Sequence, residues 1–128
     1  MSLIEYKKSL VVKRDHLDFN RHVNNLVYMQ WALDISREHW LSEVSEEIEE
    51  RYFWVVRKHY ASYRKQAFLG DKILVQTYVK DMRGPFSDRI VEIICRGDLL
   101  VEVNTQWCFM DRKTQKPTRV LEEVRALY

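Results

Sequence analysis

The chain has 128 residues, 46% hydrophobic, 31% charged and 12% aromatic, which suits one globular domain spanning 1–128 with a single core. A formal charge of +2 gives no basis for a nucleic-acid surface, and no apolar run approaches the roughly 18 residues that span a bilayer. Neither nucleic acid nor membrane is therefore expected as a partner.

The N-terminus lacks the apolar core of a signal peptide, so a cytoplasmic location is expected. Cys95 and Cys108 then read as reduced core residues, since they sit in apolar segments without metal-ligand spacing. The four histidines show no paired ligand spacing either, and neither metal nor cofactor is expected.

In chain order, residues 4–14 alternate loosely between apolar and polar and predict a first strand. A polar stretch, Asp15 to Asn25, follows, with Asn24 or Asn25 as the N-cap of a helix over about 24–40. Leu26, Met29, Leu33 and Trp40 form one apolar stripe, and Tyr28, Trp31, Ala32 and Ile35 a second beside it. The acidic run Glu43 to Glu50 predicts a solvated helix end or loop. The period then changes from 3.6 to 2: strands are expected over 51–66, 72–83, 90–96 and 99–111, with turns at Leu69-Gly70-Asp71, Arg83-Gly84-Pro85 and Gly97-Asp98. The tail 118–128 holds at most a helical turn. Strand, long helix and four antiparallel strands make an α+β domain in which a five-stranded sheet wraps one central helix. A helix apolar on two stripes and a sheet with open edges both call for a second copy, so a homodimer or homotetramer is expected.

The polar stretch carries the chemistry. It packs two carboxylates, two imidazoles and three carboxamides, from Asp15 to Asn25, directly ahead of a buried helix, whose free N–H groups and positive dipole end suit a developing oxyanion. The competing structural reading is also physical: Asp18 in an Asx-turn, the two asparagines as caps, and Asp15, His16, His39 and His59 as structural groups. Tyr28, Trp31, Trp54 and Trp107 read mainly as core, with one or two as walls of an acyl pocket. Arg57, Lys58, Arg83 and Arg89 are possible phosphate donors, but surface Lys and Arg usually just solvate a strand, and none of the four is assigned that role.

Asp18-Phe19-Asn20-Arg21-His22-Val23-Asn24-Asn25, with Tyr28 and Trp31, resembles the Asp-x-x-x-His-Val-Asn-Asn-x-x-Tyr-x-x-Trp signature of hotdog-fold acyl thioesterases. The acyl-carrier-protein thioesterases and the broader 4-hydroxybenzoyl-CoA thioesterase family are the relatives meant. Tyr63-Arg64 before Gly70-Asp71, and Trp107-x-Phe109-x-Asp111 with Lys116-Pro117, extend the likeness along the chain. The resemblance implies hydrolysis of an acyl-CoA or acyl-carrier-protein thioester, in fatty-acid metabolism. It assigns Asp18 as nucleophile or general base, Asn20 and His22 as its companions, and the backbone N–H of Asn25 to the thioester carbonyl. Lys65-Gln66-Ala67 stands where the plant-type acyl-carrier-protein thioesterases carry an acid and a cysteine, which shifts the load onto Asp18 and His22. That departure motivates the alternative of a non-catalytic acyl-thioester binding or sensing protein; a hydratase-type hotdog enzyme ranks third.

Overall fold

The alternation read in the sequence becomes a single antiparallel sheet in the computed structural model, which describes residues 4–128. Met1 to Leu3, the start of the expected domain, lie outside the described residues. The strands are β1 (Tyr6–Val11), β2 (Tyr52–Tyr63), β3 (Lys72–Arg83), β4 (Phe86–Cys95), β5 (Asp98–Asp111) and a two-residue β6 (Lys116–Pro117). The helices are α1 (Asn25–Glu43), α2 (Glu46–Arg51) and α3 (Glu122–Arg125). In space the strands run β1-β3-β4-β5-β2, with β6 against β5. This is the α+β architecture that the resemblance implies, five principal strands around one long helix, with β6 as a small addition.

Three local differences have physical causes. The acidic run is α2, a separate helix rather than a frayed end: Ser45 caps it by accepting from Ile48 N at 3.3 Å, and Ile48 turns inward. Glu46, Glu47 and Glu49 then lie in its first turn, where a carboxylate favours the helix dipole. β4 starts at Phe86 rather than Ile90, because the turn from β3 is tight: Arg83 pairs with Phe86, and Gly84 takes a left-handed φ of 57°. β1 is shorter than expected, ending at Val11 before a 3-10 turn over Arg14–His16.

The inner face of the sheet and one side of α1 divide the core in two. The larger cluster gathers Tyr28, Trp31 and Ile35 with Ile73, Val91 and Val103. The smaller gathers Trp40, Ile48, Tyr52, Phe109, Val120 and Val124, closed over by α3. Ile35 and Phe109 are each 0% exposed. Both cysteines are buried and free, as their sequence context indicates. Among the described residues no helix is long and apolar enough to cross a membrane.

Candidate active site

The junction between β1 and α1 folds as a small hairpin. Leu17 and Val23 form a bridge, Asp18 N donates to His22 O at 2.8 Å, and Arg21 N donates back to Asp18 O at 3.1 Å. Arg21 closes this turn with a left-handed φ of 62°, an uncommon conformation for a side-chain-bearing residue. The Asp18 carboxylate completes it: Oδ1 accepts from Asn20 N at 2.8 Å and His22 N at 3.2 Å. This is the Asx-turn of the structural reading. The carboxylate is nevertheless exposed to solvent and held in one orientation by two amides.

Asn24 is the N-cap of α1, its Oδ1 accepting from Leu26 N at 2.9 Å. Its carbonyl receives Val27 N at 2.8 Å and Tyr28 N at 3.4 Å. Of the first helical N–H groups that leaves Asn25 N, which has no acceptor among the described residues. Asn25 itself is the first residue of the helix and is exposed. A free N–H at a helix start is suited to a carbonyl oxygen acquiring negative charge.

Asn20 and His22 meet Asp18 through their backbone N–H groups, not their side chains. The His22 ring instead stands edge-on to Phe68, with centroids 5.5 Å apart. Below them, the buried Tyr28 hydroxyl accepts from Ala67 N at 2.9 Å, while Val23 N donates to Ala67 O at 3.4 Å. The β2–β3 loop is thereby fastened under the junction. Lys65 and Gln66, where the plant enzymes carry an acid, are exposed, and Lys65 pairs with Asp98. His16 is structural, its Nδ1 accepting from Lys13 N at 2.8 Å and its ring standing edge-on to Trp31, while Asp15 is an exposed residue of the 3-10 turn. His59 bonds Thr105 Oγ1 at 2.8 Å across the β2–β5 pair. Tyr28 and Trp31 belong to the core, as read from the sequence.

A cavity of about 330 Å³ lies elsewhere, between α1, β2, β4 and β5. Trp54 and Trp107 line it, together with Ser36, Ser87, Arg89 and Tyr128. None of Asp18, Asn20, His22 or Asn25 does; on α1 its lining begins at Gln30, about 7–8 Å along the axis from Asn25. Arg89 is the feature that the sequence conceals. With β4 expected from Ile90, it reads as a surface residue, a solvated strand position or a phosphate donor; in the fold Ser87, Arg89, Val91, Ile93 and Cys95 alternate inward along one face, and Arg89 is buried at 5% exposure. A start at Phe86, which the tight Gly84 turn permits, is the signal available.

Burial and the adjacent Arg89 cation push the His39 imidazole down to about 4. The ring is therefore neutral near pH 7, and its Nδ1, 2.9 Å from Arg89 Nη1, is the acceptor of that contact. Tyr128 is pushed up to about 12, chiefly by burial, with Arg89 pulling the other way. Among the described residues no cluster of histidine, cysteine and carboxylate side chains forms a metal site.

The profile of the thioesterase-like superfamily matches residues 11–127. No curated protein matches the sequence. Among solved structures, a probable thioesterase, YbaW, from Escherichia coli superposes with a TM-score of 0.83 at 22% identity, over 96% of each chain. A thioesterase from Thermus thermophilus, solved with coenzyme A and Zn, gives 0.87 at 17% identity over 99% of this chain and 93% of its own. An acyl-ACP thioesterase from Bacteroides thetaiotaomicron gives 0.82 at 22% identity, over 90% of this chain and 49% of its own. At these identities the likeness is one of fold.

Proposed function

The chain belongs to the thioesterase-like superfamily, and from that premise we propose that it hydrolyses an acyl thioester, acyl-CoA or acyl-carrier-protein, to free acid and thiol in the cytoplasm. The observation that carries this reading is the pairing of a fixed, exposed carboxylate with the unclaimed Asn25 N–H at the start of α1. The N–H takes the thioester oxygen as it gains charge; one such donor is worth roughly 3–4 kcal/mol in the transition state. Asp18 either attacks the carbonyl carbon, giving a mixed anhydride that water then hydrolyses, or removes a proton from the attacking water. In both routes the C–S bond breaks with its electrons on sulfur, and the thiolate needs no strong acid to leave. Asn20 and His22 hold Asp18 through their amides, and the His22 imidazole is available to position water.

Assembly completes the site in this reading. β2 is a twelve-residue edge strand with Val55, Tyr60 and Tyr63 exposed, and Phe19 and Leu26 project beside the junction. A second copy pairing along β2 extends the sheet and covers these side chains, giving a homodimer or a tetramer built from it. In an antiparallel pairing about a two-fold axis, the Tyr63 end of β2, which touches Tyr28 beneath the junction, meets the end of the partner's β2 that borders the cavity, so the junction of one copy faces the cavity of the other.

Thiol release from a panel of acyl-CoA and acyl-carrier-protein esters tests the reading, wild type beside Asp18→Asn. The amide oxygen of asparagine can keep the turn, so the variant removes charge rather than fold. An unchanged rate would end the role given to Asp18. The Asx-turn itself favours a second reading, binding of the thioester without turnover; that predicts stoichiometric binding retained in Asp18→Asn and no thiol release from either protein.

A further inference from the structure

The cavity is lined by a buried charge that no described residue meets with an ion pair. Arg89 Nη1 donates to His39 Nδ1 at 2.9 Å and to Thr77 Oγ1 at 3.0 Å, both neutral groups. The Thr77 hydroxyl in turn donates to Ile90 O at 2.7 Å. The guanidinium carbon lies 5.8 Å from the centre of the Tyr128 ring, again a neutral partner. Among the described residues Arg89 makes no ion pair. Glu5 acts on it only at longer range, and its carboxylate is engaged by Val79 N. A guanidinium does not shed its proton in proteins, so burying it among neutral partners carries a desolvation cost that an anion would offset.

Two further polar atoms point the same way. Trp107 Nε1 is sealed from solvent without a hydrogen-bond partner among the described residues, and Tyr128 Oη approaches the guanidinium without a well-directed bond. Both residues line the cavity that Arg89 and Ser87 line, and Trp107 is paired with Ser87 across the β4–β5 ladder. Orphaned buried donors are rare in folded proteins and are commonly met by a ligand or ordered water.

We propose that the part of this cavity lined by Arg89, Trp107 and Tyr128 is a binding subsite for a carboxylate at the far end of the acyl group. Arg89 supplies the charge, and Trp107 Nε1 and Tyr128 Oη supply hydrogen bonds. The apolar walls Trp40, Trp54 and Met82 take the intervening methylenes. The inference rests on the thioesterase reading and narrows its substrates to ω-carboxyacyl thioesters over plain alkanoyl ones.

Non-hydrolysable thioethers separate the two readings. Calorimetry compares S-(ω-carboxyalkyl)-CoA with S-alkyl-CoA of equal chain length on the wild-type protein. A preference of about tenfold or more for the carboxylate is expected, the range for a buried charge-assisted hydrogen bond. Arg89→Met should abolish the preference and leave S-alkyl-CoA affinity within about twofold. Trp107→Phe keeps the ring and deletes only the donor; it should cut the preference roughly threefold to tenfold, and it guards against a folding defect in the arginine variant. Equal affinity for the two thioethers, or a preference unaltered in Trp107→Phe and Arg89→Met, overturns the subsite. Thiol release from the matching esters is read in parallel: hydrolysis of alkanoyl-CoA with the lower KM overturns the subsite while sparing the thioesterase reading. Selective binding with neither ester hydrolysed supports the subsite and sinks the thioesterase reading.

Discussion

Tyr28→Phe tests how the junction is held. The ring is 1% exposed and stands edge-on to Trp31 at 5.5 Å, so phenylalanine keeps the packing and removes only the oxygen. That oxygen accepts from Ala67 N at 2.9 Å, and Ala67 is 0% exposed, so no solvent replaces it. Leaving a buried amide unmet costs about 1–3 kcal/mol, more than the net value of the bond, because the donor still bears its full desolvation. For a chain of this length that corresponds to a fall of roughly 3–10 °C in Tm. Urea denaturation of both proteins at pH 7 measures the loss directly, provided the slopes match. The Ala67 carbonyl receives Val23 N and the neighbouring Phe68 supports His22, so the variant should also lower the rate of thiol release. A loss under about 0.5 kcal/mol with unaltered turnover refutes the tether: Ala67 N would then have found another acceptor and the loop would not position the site.

Three other outcomes are expected. His39 is neutral in the fold with its imidazole held down to about 4, while the unfolded chain binds that proton near 6.5. Its contribution is therefore complete above pH 6.5 and is lost as pH falls towards 4, by roughly 3 kcal/mol in all; denaturation midpoints at several pH values should show the slope in wild type and a shallower one in His39→Gln. Asn24→Ala removes the α1 cap and should cost about 1 kcal/mol, whereas Asn24→Asp retains it; equal stability of the two variants would argue against the cap. Ile35→Ala opens a void at a fully buried point of α1 and should cost about 2–5 kcal/mol, read from the urea midpoint.

The sheet is legible in the sequence where both faces of a strand obey the period of two. β3 matches its expected limits, because Ile73, Val75 and Thr77 turn inward at every second position while Lys72, Leu74 and Gln76 face the other way. β4 reads short because Ser87, Asp88 and Arg89 look like a turn when taken alone; only the pairing of Ser87 with Met82 and Trp107 makes them strand. The junction is legible as a motif, down to the choice of a cap near residue 24. Its turn is legible as the Asx-turn of Asp18, but the hairpin around it, with the Leu17–Val23 bridge and the left-handed Arg21, is not, since it is closed by backbone amides rather than by the side chains that make the pattern conspicuous. The contact between His39 and Arg89 joins residues 50 positions apart on different elements, and no local pattern encodes it.

The position of β2 also sets an order of events in folding. β3, β4 and β5 form a meander of neighbours, each closed by a short turn, and can assemble as soon as they exist. β2 cannot: its partner within the chain is β5, with Tyr52 meeting Asp111 and Tyr63 meeting Val101. On a ribosome adding about 5–20 residues per second, β2 waits several seconds for β5 to be made. Such long-range pairing places the fold among the slower ones for its size. During that interval a strand rich in aromatic and β-branched residues is unpaired on both edges, and α2, whose acidic first turn immediately precedes it, supplies the charge that discourages premature association of nascent chains.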